Sequence, residues 1–272
     1  WLVTMLLLVT AMAMPKMAWA QVTPTKPANG DGTAEKPYEI TTAAELAWFR
    51  DWVNTCEVGV SHRDACAKLM ADIDMSSLCH PADDSKGVAE LSWSPISNTT
   101  APIFTWRGQF DGNGKTISNL YINATSDDQG LFGYGLSNDE NIKGVIKNLT
   151  LANVNVKNTA GCTGALIGGA DNFEITQVVI SSGTVEGEIY AVGGICGQAD
   201  TESKFLSCEN RAQIKSQTDN SGYYIGGICG NVKSSHIEKC ANYGNINSQG
   251  VYVGGICGSS FGSSSITTSA NY

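Results

Sequence analysis

Apolar positions fall in two patterns along this chain. Between Thr42 and Asn54, Leu46, Phe49 and Val53 recur at helical spacing, so one helical face is apolar. Thr42 stands at the N-cap position and Glu45 three residues on, the capping-box pair, and this predicts a helix over 43–54. From Phe110 onward the helical period disappears. Short β-prone runs (Thr116–Ile122, Val145–Leu151, Val154–Val156, Ile175–Ile180) are separated by Gly, Asn, Asp and Ser.

These runs belong to a repeat. Gly-Gly-Ile-Cys-Gly occurs at 193–197, 226–230 and 254–258, steps of 33 and 28 residues. Each copy follows a short apolar stretch: Ala191-Val192, Tyr224-Ile225 and Tyr252-Val253. A second half-repeat keeps the same phase. Phe205-x-x-Cys208-x-Asn210-x-Ala212-x-Ile214 aligns with Ile237-x-x-Cys240-x-Asn242-x-Gly244-x-Ile246 and with Ile266-x-x-Ser269-x-Asn271. Weaker copies lie upstream at Gly164–Gly168 and Gly130–Gly133. A period of about 30 residues suits one β-solenoid coil of three short strands and three turns, and is short for a propeller blade of about 40 or more. The expected fold is all-β, a right-handed parallel β-helix with a short N-terminal capping helix. The helix would cover the open first rung, whose edge groups otherwise need water.

Other segments complete the plan. Leu2–Met14 is almost wholly apolar and is followed by Ala18-Trp19-Ala20, a secretory signal peptide cleaved after Ala20. It is too short to span a membrane, which takes about 20 apolar residues. Residues 21–36 read as a Pro-, Thr- and Gly-rich linker, 37–108 as an N-terminal cap region, and 109–272 as the repeat array. The basic n-region and initiator Met are missing, and Ala270-Asn271-Tyr272 starts a rung that stops midway, so we expect a fragment truncated at both ends.

The 272 residues are 42% hydrophobic and 16% charged, with 30 Gly, which permits a core and fits a turn-rich β protein. Net charge is −9. That argues against nucleic acid, whose phosphates require basic patches, and against docking on anionic lipid. No membrane insertion is expected of the mature segment, and a monomer is expected.

An ordered series of motifs runs through the chain: Gly32-Thr33-Ala34-Glu35-Lys36-Pro37-Tyr38-Glu39-Ile40, Ala44-Glu45-Leu46, Ala71–Met75, Trp93-Ser94-Pro95-Ile96, Phe110–Leu120, Gly130–Gly133, Ile146–Leu149 and the Gly-Gly-Ile-Cys-Gly copies. Over about 32–272 this resembles the GLUG-motif surface proteins of gut Bacteroidetes and Firmicutes. The same repeats occur in the non-catalytic region of IgA-specific metallopeptidases. The resemblance implies a parallel β-helix on a cell surface and no defined activity. Cys at the late repeat position departs from the family, which carries Val, Ile or another small apolar residue there.

Candidate chemistry is sparse. Cys196, Cys229 and Cys257 share one repeat position and Cys208 and Cys240 another. Stacked strands about 4.8 Å apart set Cβ atoms too far apart for a good disulfide, so these read as buried thiols. Metal ligation is the alternative, but no C-x-x-C pair exists. Cys162 has no equivalent. Outside the array, Cys56 and Cys66 form a plausible local disulfide; with Cys79 and His80 they could instead make a zinc site. Asp111-Gly112-Asn113-Gly114 hints at calcium, but Lys115 and Ile122 occupy positions that need oxygen ligands, so a tight turn is preferred. Asp72 and Asp74 alternate on one strand face, which reads as an exposed face, with a carboxylate pair as the alternative.

Asn210, Asn242 and Asn271 repeat in register and suit an amide ladder, with a ligand-binding row as the alternative. His62, His80 and His236 are the three histidines. There is no H-E-x-x-H, no nucleophile elbow and no phosphate loop, so no catalysis and no cofactor are expected. The sequons at Asn98, Asn123 and Asn148 read as chance matches. The function expected is an exported structural or adhesive module contacting a host or environmental protein or glycan, with Tyr190, Tyr223, Tyr224, Tyr243 and Tyr252 as contact aromatics. A polysaccharide-active enzyme using Asp111, Asp127, Asp128 or Lys147 is the rival, and a stalk displaying a further domain the third reading.

Overall fold

The computed structural model describes residues 22–55, 62–98, 105–137, 143–216 and 223–272. The signal peptide and Cys56, and with it the Cys56–Cys66 bridge, lie outside the described residues. Cys66 is buried, its thiol 3.3 Å from the Asp64 carbonyl.

The strands form parallel ladders in four sheets of 12, 5, 5 and 4 strands. One full coil shows the plan. Phe173–Ile180 lies in the long sheet, Gly183–Gly187 in the second, Ala191–Gly193 in the third and Cys196–Asp200 in the fourth. The next coil begins at Lys204–Leu206, in register under Glu174–Thr176. Each coil therefore carries four strand segments, where the sequence suggested three. Gly-Gly-Ile-Cys-Gly is the reason. Gly193 ends one strand and Cys196 opens the next, so the motif is a corner between two sheets. A Cβ on Gly193 would meet the Cys196 carbonyl at 2.0 Å, and Gly226 and Gly254 repeat that constraint at 2.0 and 1.9 Å.

A second kind of corner recurs once per coil inside the long sheet. Asn113, Asn148, Gln177, Ser207, Lys239 and Thr268 all have left-handed backbones, with φ between 51° and 56°. Asn adopts this conformation readily and the others pay for it, so the stack holds them there. The core is a column of inward rows. Ala170, Ala199 and Val232 are fully buried and adjacent, as are Ile146, Ile175, Phe205 and Ile237.

The helix Ala43–Asn54 forms as its capping box predicts. Glu45 N donates to Thr42 Oγ1 at 3.2 Å, and Glu45 Oε2 accepts from Thr42 N at 3.1 Å. Leu46, Ala47, Phe49 and Val53 are buried, and Phe49 meets Phe110 at 6.2 Å between ring centroids. Residues 37–108 are more than a cap, because Tyr38–Ile40 and Ala67–Leu69 are the first two rungs of the long sheet. Residues 22–36 lie against that end. Thr25 N donates to Ala44 O, Glu39 N to Asn29 O and Cys66 N to Gly32 O. No helix among the described residues is long and apolar enough to cross a membrane.

Candidate functional site

The repeated polar residues build the interior. Asn210 Nδ2 donates to Asn242 Oδ1 at 2.8 Å, and Asn242 Nδ2 to Asn271 Oδ1 at 2.7 Å. Each amide also closes its own corner, through Ala212 for Asn210 and Gly244 for Asn242. Asn210 and Asn242 are fully buried, so this row faces no ligand. The thiols are equally occupied. Cys196, Cys229 and Cys257 stack in register and each donates to the carbonyl two residues on. Cys208 donates to Ile175 O at 3.3 Å and Cys240 to Glu238 O at 3.4 Å. Burial pushes the Cys196, Cys208, Cys229 and Cys257 thiols up, away from the reactive thiolate.

The weighed carboxylates are internal acceptors too. Asp72 Oδ1 takes Thr116 N, Asp74 Oδ1 takes Ser76 and Asn119, and Asp111 Oδ1 takes Asn113 N and Asn148 Nδ2. Asp111 also pairs with Lys147 at 3.7 Å. Among the described residues no three His, Cys, Asp or Glu side chains are grouped to hold a metal ion.

The tyrosines divide into two rows. Tyr190, Tyr224 and Tyr252 run along the solenoid axis, one per coil, with ring centroids 6.1 and 5.3 Å apart. Tyr190 and Tyr252 are exposed, and Ile189, Val251 and Val253 are exposed beside them. Tyr243 belongs elsewhere. It stacks on Tyr272 at 4.7 Å, and the Arg211 guanidinium lies 4.6 Å from its ring centroid. Tyr223 is half-buried.

At the head of the first row lies a cleft of about 370 Å³ lined by Asp127, Asp128, Tyr134, Gly161, Cys162, Ile189, Tyr190 and Gln198. Gly169 lies in register between two of these, Tyr134 and Gln198. A Cβ there would lie 2.4 Å from the Tyr134 ring and 3.4 Å from Asp128 Oδ1, so the absence of a side chain lets the Tyr134 ring lie against this backbone. Cys162, in register with Ala191 of the next coil, donates to Gln198 Oε1 at 3.7 Å. Gln198 Nε2 in turn donates to Asp200 Oδ2. Asp200 is in register with Asp171. Tyr190 completes the rim from a left-handed backbone (φ 68°), which is strained for an aromatic residue.

The cleft is acidic. Burial raises the Asp128 carboxyl to about 6, and Asp127 adds to the shift. Burial and then Asp200 push Asp171 up, opposed by hydrogen bonds from Thr201 and Tyr134. Burial followed by the charges of Asp171, Asp200 and Asp128 holds the Tyr134 phenol protonated. A carboxyl that titrates near 6 can donate or accept a proton, while protonated phenol, amide and carboxylates can fix hydroxyl groups. Of this set the sequence had pointed only to Asp127, Asp128 and Tyr190. Tyr134, Gln198, Asp171 and Asp200 were missed, although Asp171 and Asp200 sit 29 residues apart, in phase with the repeat.

No family model matches the chain. Halomucin of Haloquadratum walsbyi is 34% identical over 176 residues, 64% of this chain and 2% of halomucin. A "Putative Gly-rich membrane protein" of Evansella cellulosilytica is 31% identical over 144 residues, 52% of this chain and 14% of that protein. The chain thus matches small fractions of much longer relatives. The crystal structure of a "putative immunoglobulin A1 protease" from Bacteroides ovatus superposes with a TM-score of 0.68, covering 89% of this chain and 69% of that one at 24% identity. At that identity the likeness establishes the fold: a parallel β-solenoid.

Proposed function

We propose that this chain is a non-catalytic, surface-displayed β-solenoid module that binds an extended polymer, a glycan by preference, along its tyrosine row. The carrying observation is the axial alignment of Tyr190, Tyr224 and Tyr252 on three successive coils. Tyr190 and Tyr224 meet edge to face (84°) and Tyr224 and Tyr252 are tilted by 35°, so the row forms a continuous aromatic strip along which a sugar chain could lie. Matches to a mucin-named protein and a membrane protein support display at a surface, as does the apolar leader expected over 1–20. The GLUG-type reading of the repeat rests on the ordered motifs and on the fold shared with the Bacteroides ovatus protein.

Glycan and mucin arrays probed with the full chain test this reading. Binding that Tyr224→Ala weakens while the fold is retained is the expected result; silence on both arrays overturns it. One observation favours a second reading. The Asp128 carboxyl, raised by burial and then by Asp127, has the character of a general acid in a polysaccharide-active enzyme. Release of reducing or unsaturated sugar ends, abolished by Asp128→Asn, would establish that reading over the first.

A further inference from the structure

The line of the tyrosine row does not end at Tyr190. Tyr252 and Tyr224 are in register with each other, and then with Ala191 and Cys162 of the two preceding coils. Gln129 bridges Thr163, so Asp128 continues the same line, and Ile96 bridges Phe132, which sets residues 92–95 on the rung before residues 128–131. From there to Tyr252 the line takes five steps, about 24 Å at the usual spacing of parallel rungs. The rings give way to small buried residues at Ala191 and Cys162. There the surface sinks into the cleft of about 370 Å³.

That cleft is continued on its far side. It shares Asp127 with a second cleft of about 430 Å³, which shares Ser92, Ser94 and Asn98 with a third of about 470 Å³ that reaches Arg50 and Asn54 of the helix. Clefts with common walls make one trough, continuous with the tyrosine row. Its reachable walls are polar: Ser94, Asn98, Ser126 and Asp127 are exposed. Asn98 Nδ2 donates to Ser94 Oγ at 3.0 Å, which leaves the Asn98 amide oxygen and the Ser94 hydroxyl proton for a ligand. The charged residues along it are Asp127 and Asp128, then Arg50 and Asp51, which pair with each other at 2.7 Å. A polyanion would meet two carboxylates and no unpaired cation among them. The line also crosses strands that bond to a rung on either side, so an extended peptide finds no sheet edge to join. An uncharged, hydroxyl-rich chain meets neither obstacle.

We propose that the tyrosine row and the trough are one binding groove, and that its occupant is a single extended, uncharged glycan chain. Its sugar rings lie on Tyr224 and Tyr252 at one end, and its hydroxyls bond to Ser94, Asn98 and Ser126 at the other. The proposal rests on the glycan reading above and adds the length and charge of the chain. A chain that covers only the tyrosines uses two of the five steps, so affinity goes on rising with length beyond that point.

The test is calorimetric titration of the full chain with size-fractionated cello-, manno- and N-acetylchito-oligosaccharides, and with gelatin as an extended polypeptide. At least one sugar series should bind. Its members that span the groove should bind about tenfold more tightly than those that span only the tyrosines, the gain from one or two net hydrogen bonds. Asp127→Trp fills the junction of the first two clefts from an exposed position. It should bring long chains down to the affinity of short ones and leave short chains unchanged. Ser94→Trp, on the wall shared by the second and third clefts, gives the same readout where Asp127→Trp lowers the melting temperature. Asp127→Asn should keep the length gain; its loss there would mark a cationic chain and overturn the uncharged occupant. Tyr252→Ala should weaken chains of every length. Affinity that stops rising once the tyrosines are covered, or a length gain that survives both tryptophan variants, overturns the groove and leaves the tyrosine-row reading standing. Binding of gelatin with no sugar series bound, or no binding at all, overturns both.

Discussion

Asn210 and Asn242 each do two jobs with one amide, closing their own corner and joining the next coil. Removing Asn242 breaks both. Asn242→Ala strips partners from Asn210 Nδ2, Gly244 N and Gly244 O in a fully buried site. Orphaned buried groups cost about 1–3 kcal/mol each before relaxation, so we expect a loss of roughly 2–4 kcal/mol in urea unfolding. Asp128 makes a different residue-scale prediction. Its carboxyl is raised in the folded state to about 6, above its value in an unfolded chain. Folded protein therefore holds the proton longer, and stability falls as pH rises through that window, then levels above it. Asp128→Asn removes the penalty. It should match wild type at pH 4 and exceed it above pH 6.5, by on the order of 1 kcal/mol after allowing for partial exposure. A variant less stable than wild type at pH 7 would show that the carboxylate is held by contacts that outweigh its burial.

At the scale of elements, legibility tracked how local the cause was. The helix was readable to its ends because Thr42, Glu45 and the apolar face are local signals. The GGICG corner was readable as a turn but not as a boundary between two sheets. That assignment depends on Gly193 and Cys196 facing backbone of the next coil, a contact across roughly 30 residues. The cleft was less readable still. Tyr134, Gly169 and Gln198 come from three coils, and only register brings them together. The helix itself is testable. Thr42→Ala removes one side of the capping box and should cost about 1 kcal/mol. Phe49→Ala uncovers the first rung beside Phe110 and should cost about 3–5 kcal/mol. A thermal melt of both variants checks the ratio. The array thiols give an element-scale test of burial. Cys196, Cys208, Cys229 and Cys240 are at most 1% exposed. They should resist iodoacetamide in native buffer and react only above the urea midpoint, as read by intact mass.

The whole molecule is one-dimensional. Each rung of the long sheet touches the rung before and the rung after, so stability is a sum of coil terms and interfaces. An interior coil has two interfaces. Its core shows them: Ile195, Phe205 and Ile214 are fully buried. At the Tyr38–Ile40 rung the helix Ala43–Asn54 provides cover with Leu46, Phe49 and Val53. Opening on that side should therefore require the helix to leave first, and then proceed in units of about one coil. Hydrogen exchange measured by mass spectrometry reads this directly. Amides of Tyr38–Ile40 and Ala67–Leu69 should exchange slowly while the helix is docked, as should those of Ile167–Asp171. Phe49→Ala should speed exchange in the Tyr38–Ile40 and Ala67–Leu69 rungs and leave Ile167–Asp171 slow. Equal acceleration in all three strands would mean that the array opens as one cooperative block, and that the coil interfaces are too strong for one rung to open alone.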